Sequence, residues 1–122
     1  MLKQVFRCAQ GDDLRFSAEV MIDGAPMALG TAEIWFTAKR NATDPDSAAL
    51  FQVSTEGGGI IILDPTTNLV RIHVPGSATA AAVLGRYVYD LRIKLPTDGE
   101  IQTLATGEIF IDAAITQAIE TS

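Results

Sequence analysis

Arg86-Tyr87-Val88-Tyr89-Asp90-Leu91-Arg92-Ile93-Lys94-Leu95 decides the fold class, because its two sets of alternate residues differ in kind. Tyr87, Tyr89, Leu91, Ile93 and Leu95 make one apolar row. Arg86, Asp90, Arg92 and Lys94 make the other, with Val88 as its apolar exception. A strand turns successive side chains to opposite faces, so this period of two places one face against a core and the other in water. Residues 14–22 sort the same way. Leu14, Phe16, Ala18, Val20 and Ile22 point inward and Arg15, Ser17 and Glu19 outward, with Met21 out of pattern.

Outward from these two segments lie weaker strand candidates at residues 3–8, 32–39, 49–54, 59–63, 69–74 and 104–111. Turn chemistry separates them: Gln10-Gly11-Asp12-Asp13, Asp23-Gly24, Asp44-Pro45-Asp46, Gly57-Gly58-Gly59, Asp64-Pro65 and Asp98-Gly99 supply positive-φ tolerance and side-chain caps. Asp98-Gly99 reads as a hairpin. Only residues 77–84 read as helical, with Ser77 as N-cap, an alanine-rich middle and Gly85 at the C-terminal cap. Alanine carries little apolar surface, so this one short helical turn plugs the end of a sandwich. Seven to nine short strands almost without helix predict an all-β protein, an antiparallel β-sandwich.

A chain of 122 residues has room for one such domain, expected over residues 1–122. Its tail from about residue 113 carries Ala113, Ile115 and Ile119, apolar enough to dock on a neighbour. Hydrophobic residues at 48% and charged ones at 20% exclude a charge-rich disordered polymer. A net charge of -6 argues against nucleic acid and anionic membrane as partners, since nothing offsets the repulsion from phosphate. Cys8 is the single cysteine, so no internal disulfide forms and a reducing compartment suits the fold. The first ten residues lack the pattern of a secretory signal. The longest apolar stretches, residues 59–63 and 78–84, fall short of the roughly 20 residues needed to span a bilayer.

The run from Gly85 to Leu91 resembles the entry to the sixth strand of an immunoglobulin-like sandwich. The resemblance puts Tyr87 at the tyrosine corner, its hydroxyl bonded to backbone a few residues upstream, and Tyr89 where that fold often has cysteine. The missing cysteines exclude antibody-type domains. A closer resemblance spans most of the chain. Gly11-Asp12, Leu14-Arg15-Phe16, the Asp23 to Pro26 turn, Ala32-Glu33-Ile34-Trp35-Phe36 and the Gly-rich hairpin before Ile60 come first. Val70-Arg71-Ile72-His73-Val74, the alanine-rich turn, Gly85-Arg86-Tyr87-Val88-Tyr89 and Gly107-Glu108-Ile109-Phe110-Ile111 follow in order. The chain is similar to the immunoglobulin-like domains of tailed-phage and prophage tail or baseplate proteins, such as those at the N-terminus of upper baseplate proteins. That resemblance implies a non-catalytic structural or assembly module. Its partners would be other virion or tail proteins or a second copy of the chain. It would fold in the bacterial cytoplasm and then join the virion.

Chemistry-bearing residues are few. His73 is the only histidine and Cys8 the only thiol, so a catalytic triad, a Cys-His pair or a histidine-rich metal site lacks members. His73 reads as an ordinary exposed histidine and Cys8 as a small buried hydrophobe. Asp12 with Asp13, and Asp44 with Asp46, lack the EF-hand frame and read as solvated turns. Gly57-Gly58-Gly59 has no following Lys-Ser or Lys-Thr pair and reads as a hairpin, not a phosphate loop. The expectation is therefore no catalytic residue, no metal and no cofactor.

Trp35, Val88 and Phe110 stand apart as apolar residues on outward phases, with Ile34, Phe36 and Ala38 facing in beside Trp35. If neighbouring strands join Val88 and Phe110, the patch is worth about 25 cal/mol per Å² to a partner that covers it. The competing reading is cover by a loop of the same chain, such as the alanine-rich turn. A second functional reading is a carbohydrate- or receptor-binding module with Trp35 as its platform. Tyr87 and Tyr89, on the inward phase, cannot extend that platform.

Overall fold

Tyr87, Tyr89, Leu91, Ile93 and Leu95 are buried and Arg86, Arg92 and Lys94 exposed, so the alternation that marks this segment becomes the central strand of a sandwich. The computed structural model describes residues 2–22, 25–26, 30, 32–63, 68–95 and 99–115. The Asp23-Gly24 and Asp64-Pro65 turns, Asp98 and the tail with Ile119 lie outside these residues. The strands are β1 (Leu2–Ala9), β2 (Leu14–Glu19), β3 (Met21–Ile22), β4 (Ala25–Pro26), β5 (Glu33–Lys39), β6 (Phe51–Ser54), β7 (Ile60–Ile62), β8 (Leu69–Val74), β9 (Gly85–Lys94) and β10 (Ile101–Asp112). Two 3-10 turns, Asp46–Ala48 and Gly76–Ala78, are the helical content among the described residues.

One sheet runs β1-β10-β9-β5-β6 and the other β2-β8-β7, while β3 and β4 form a two-stranded ribbon. A four-strand run β10-β9-β5-β6 facing β2-β8-β7 is the arrangement of an immunoglobulin-like sandwich, with β9 as the sixth strand of that fold. Its pairs are antiparallel except one: β1 lies parallel to β10, Leu2 opposite Ala105 and Ala9 opposite Asp112.

The core sits between the sheets. Ile34, Phe36, Tyr89, Ile93 and Ile109 meet Ile60, Val70, Ile72 and Val74 from the other side. Phe36 is fully enclosed, with ring centroids of Tyr89, Phe16 and Phe51 at 5.2, 5.4 and 5.5 Å. Tilted and edge-on contacts at this spacing add to the area the rings bury.

The structure departs from the sequence reading in three places. The strand expected over residues 14–22 ends at Glu19: the Val20 N–H still donates to the Asn68 carbonyl in the β2–β8 register at 2.8 Å, but the Val20 carbonyl is bonded by the Asn68 side-chain amide at 3.2 Å. The last strand starts at Ile101 rather than 104. A bulge at Leu104 separates the Thr103–Arg92 pair from the Ala105–Leu91 pair, so the outward phase switches from odd to even residues and the period of two is lost there. The helical segment expected over residues 77–84 is reduced to the 3-10 turn Gly76–Ala78, which begins one residue earlier. Pro75 occupies the N-cap without a side-chain bond, and the N–H of Gly76 donates to Asp13 Oδ1 at 2.7 Å.

Thr79, buried, anchors this turn to the β1–β2 connection. Its Oγ1 accepts from the Gly11 N–H at 3.1 Å and lies 3.2 Å from the Asp12 carbonyl, to which it can donate. A Cβ on Gly76 would stand 2.1 Å from the Gly11 carbonyl oxygen, so only glycine permits this approach. Ala82 is buried and Ala78 packs on the core, which closes this end of the sandwich.

Candidate functional site

The outer face of the five-stranded sheet collects the residues with something to offer a partner. Across β9 and β5, Trp35 stands opposite Arg92, Thr37 opposite Asp90 and Lys39 opposite Val88. On the β6 side Trp35 pairs with Ser54 and Thr37 with Gln52. On the β10 side Val88 pairs with Glu108 and Arg86 with Phe110, which in turn pair with Val5 and Arg7 on β1. The result is an open trough of about 990 Å³ with Trp35, Thr37, Lys39, Gln52, Asp90 and Arg92 among its lining.

Polar side chains stiffen one wall of it. Lys39 reaches Asp46 Oδ1 at 2.7 Å and donates to the Asp44 carbonyl at 2.8 Å. Gln52 Nε2 donates to Thr37 Oγ1 at 3.0 Å. Hydrogen bonds from Lys39 and then Gln52 hold the Asp46 carboxyl below its ordinary range. Asp90 is different. Burial pushes its carboxyl up, Arg92 and Lys39 pull it back, and Asp46 adds to the rise. Among the described residues neither the Asp90 carboxylate nor the Trp35 indole has a hydrogen-bond partner, and the half-buried ring lies beside the small Ser54.

Val88 and Phe110 lie on this same face as diagonal neighbours on adjacent strands, where long side chains are in reach of each other. The other diagonal of that quartet is the Arg86–Glu108 ion pair. The Arg7 guanidinium sits 4.9 Å from the centre of the Phe110 ring and bonds Asp112 at 2.9 Å. Both apolar residues are half-buried, and the Phe110 ring is covered by Arg7 rather than by the alanine-rich turn. That turn is at the sandwich end, where the Ala82 carbonyl accepts from Gln10 Nε2 at 2.7 Å.

Tyr87 faces inward, and its hydroxyl donates to the Val83 carbonyl at 2.7 Å. Arg40 lies 5.1 Å from its ring centre and donates to the Arg86 carbonyl at 3.2 Å. Gly85, with φ of 126°, makes the bend that brings Val83 and Tyr87 together.

His73 is not the free surface histidine expected from its outward phase. It is half-buried, with Nε2 at 2.8 Å from Asp13 Oδ2, and Arg15 stands 3.7 Å from the same oxygen. The hydrogen bonds from His73 and then Gly76 hold the Asp13 carboxyl low. Asp12 Oδ2 accepts from the Ala9 N–H and Asp44 Oδ2 from the Asn41 N–H, both at 3.1 Å, so the acidic loops cap their own turns. No group of three His, Cys, Asp or Glu residues poised for a metal ion occurs among the described residues. Cys8 is half-buried rather than fully enclosed. Burial first, then Asp12 and Asp112, push its thiol up and away from the reactive thiolate.

Sequence reasoning missed a second outer feature. Ile61, Leu63 and Leu69 stand 51%, 42% and 38% exposed on the three-stranded sheet. The available signal was Ile60-Ile61-Ile62, which is apolar on both phases of its strand.

No protein-family model and no curated protein matches this sequence. Among solved structures, the N-terminal domain of phage TP901-1 ORF48 is similar to it with a TM-score of 0.54 at 10% identity, over 89% of this chain and 85% of that one. At that identity the likeness is one of fold. The class is an immunoglobulin-like β-sandwich with an open, polar outer face centred on Trp35. No helix among the described residues is long and apolar enough to cross a membrane.

Proposed function

We propose that residues 1–122 form a non-catalytic structural module of a phage or prophage particle, in its tail, baseplate or connector region. It acts through protein–protein contacts on the outer face of the five-stranded sheet. Other virion proteins are its partners, and it joins the virion after folding in the bacterial cytoplasm. The observation that carries this reading is the fold shared with a phage protein's domain over nearly the whole chain. The exposed chemistry agrees with it: Trp35, Val88 and Phe110 lie among charges already arranged in pairs, which orient a partner more than they react with one. Co-expression with the products of the adjacent genes, followed by sedimentation, tests it. The wild type travels with a tail, baseplate or connector assembly and a Trp35→Ala, Arg92→Glu variant does not. Failure to associate with any of these products overturns the reading.

A second reading, carbohydrate binding, is favoured by the unbonded Trp35 indole, which lines an open trough together with Thr37, Gln52 and Asp90. A glycan array probed with the wild type and with Trp35→Ala decides it. Binding lost in the variant supports a sugar site, and an array without hits removes it.

A further inference from the structure

We propose that copies of this chain join head to tail, the free edge of β1 in one copy pairing with the free edge of β6 in the next, so that their five-stranded sheets run on into one another. Among the described residues β1 and β6 are the two ends of the strand order, so each offers main-chain groups along one side. Which groups is fixed by the pairing. The Gln10 N–H donates to the Asp112 carbonyl at 2.9 Å in the parallel β1–β10 register. Even residues of β1 therefore face β10, and Lys3, Val5 and Arg7 point their N–H and C=O groups away. The next such residue, Ala9, is closed off by Asp12, which accepts its N–H through Oδ2 and donates to its carbonyl, both at 3.1 Å. On the other side the Thr55 N–H donates to the Ile34 carbonyl at 3.0 Å, so Phe51 and Val53 bond β5 while Gln52 and Ser54 turn their main chain outward.

The two edges also match in charge. β6 carries no charged residue and no proline, the usual guards of an edge strand, but Asp46 precedes it and Glu56 follows it. β1 carries Lys3 and Arg7 with no acid, and between them Val5, which is 60% exposed. Laid beside β6, a basic–apolar–basic strand meets an acidic–neutral–acidic one. Val5 then comes next to Ser54, whose small side chain leaves the half-buried Trp35 ring open to it. Two copies of β1 would oppose like charges, and two copies of β6 would bring no cation to Glu56, Asp46 being held by Lys39 already, so the mixed pairing is the favourable one. Such a contact is heterologous, and it propagates until it closes into a ring or continues as a filament.

This inference rests on the assembly-module reading, and its test is separate from that of particle association. Val5→Pro removes an N–H that β10 does not use, and Ser54→Pro one that β5 does not use, so each variant keeps one working edge. In sedimentation across a concentration series the wild type forms species larger than a dimer. Each variant alone stays monomeric, and an equimolar mixture gives a complex of twice the chain mass. A dimer of Ser54→Pro alone, a dimer of Val5→Pro alone, or a mixture that stays monomeric overturns the proposal. Val5→Glu and Ser54→Glu, which alter outer-face side chains without touching the ladders, serve the same crossed design if a proline variant fails to fold. A monomer that still sediments with a particle overturns this inference alone, and oligomers that bind no particle overturn the assembly reading alone.

Discussion

The two outer faces of the sandwich share one core and differ in what they show to water. On the five-stranded side Arg7, Lys39, Arg86, Arg92 and Lys94, five of the chain's nine basic residues, interleave with Asp46, Asp90 and Glu108 around Trp35. On the three-stranded side Arg15 and His73 stand together at one end, Leu63 and Leu69 at the other, and Arg71 lies between them opposite Ile61. Paired charges have direction, so they fix the register of a partner, whereas an aliphatic patch rewards any cover of the right area. In a protein of net charge -6, gathering most of the cations on one face makes that face the place where an acidic surface can approach.

The strongest way to break the comparison is to remove what both faces stand on. Phe36→Ala empties the ring cluster between the sheets and is expected to cost about 3–5 kcal/mol, read as a shift of the denaturant midpoint. Trp35 fluorescence and circular dichroism then move together, since neither sheet stands without the shared core. Tyr87→Phe acts at the Val83 bend beside the five-stranded face. It removes one hydrogen bond to a main-chain carbonyl and costs about 1–2 kcal/mol in the same assay.

Acid distinguishes the faces next. The Asp13 carboxyl is held below its ordinary value by His73, Gly76 and, more weakly, Arg15. Its contribution to stability is present above the unfolded carboxylate range and is lost as the pH falls through the lowered folded value. Asp13→Asn therefore flattens the acid limb of the stability curve and leaves the neutral plateau lower. Asp90, on the opposite face, has the reverse sign. Its raised carboxyl is less favourable ionised than in the unfolded chain, so stability falls as the pH rises through the shifted value. Asp90→Asn stabilises the neutral protein by about 0.5 kcal/mol or less, since the half-buried group is partly screened by solvent and offset by Arg92 and Lys39. Thermal melts of the two variants across pH should diverge in opposite directions.

Much of this architecture is legible in residue order, and what is hidden has physical reasons. The rows of β9 and the limits of β8, Leu69–Val74, follow from period two alone, because one face of each strand is fully buried. The start of β10 is not legible, since the Leu104 bulge reverses the phase in mid-strand. Nor is the parallel docking of β1, because pairing direction leaves no mark on alternation. The helical reading of residues 77–84 counted alanine propensity and could not weigh Asp13 taking the Gly76 N–H from across the chain. The same distance concealed the partner of His73, sixty positions away in sequence. Trp35, Val88 and Phe110 could be put on one side of their strands from sequence. That Arg7 would sit over Phe110, with the Arg86–Glu108 pair beside it and Val88, needed the register.

Hydrogen exchange followed at rising protein concentration tests the central claim most directly, because it reports which main-chain groups become covered when copies meet. The account predicts slowed exchange at the amides of Val5, Arg7, Gln52 and Ser54, with Ile61 and Leu63 on the three-stranded sheet unchanged. Slowing at Ile61 and Leu63 with no change along β1 and β6 would contradict it.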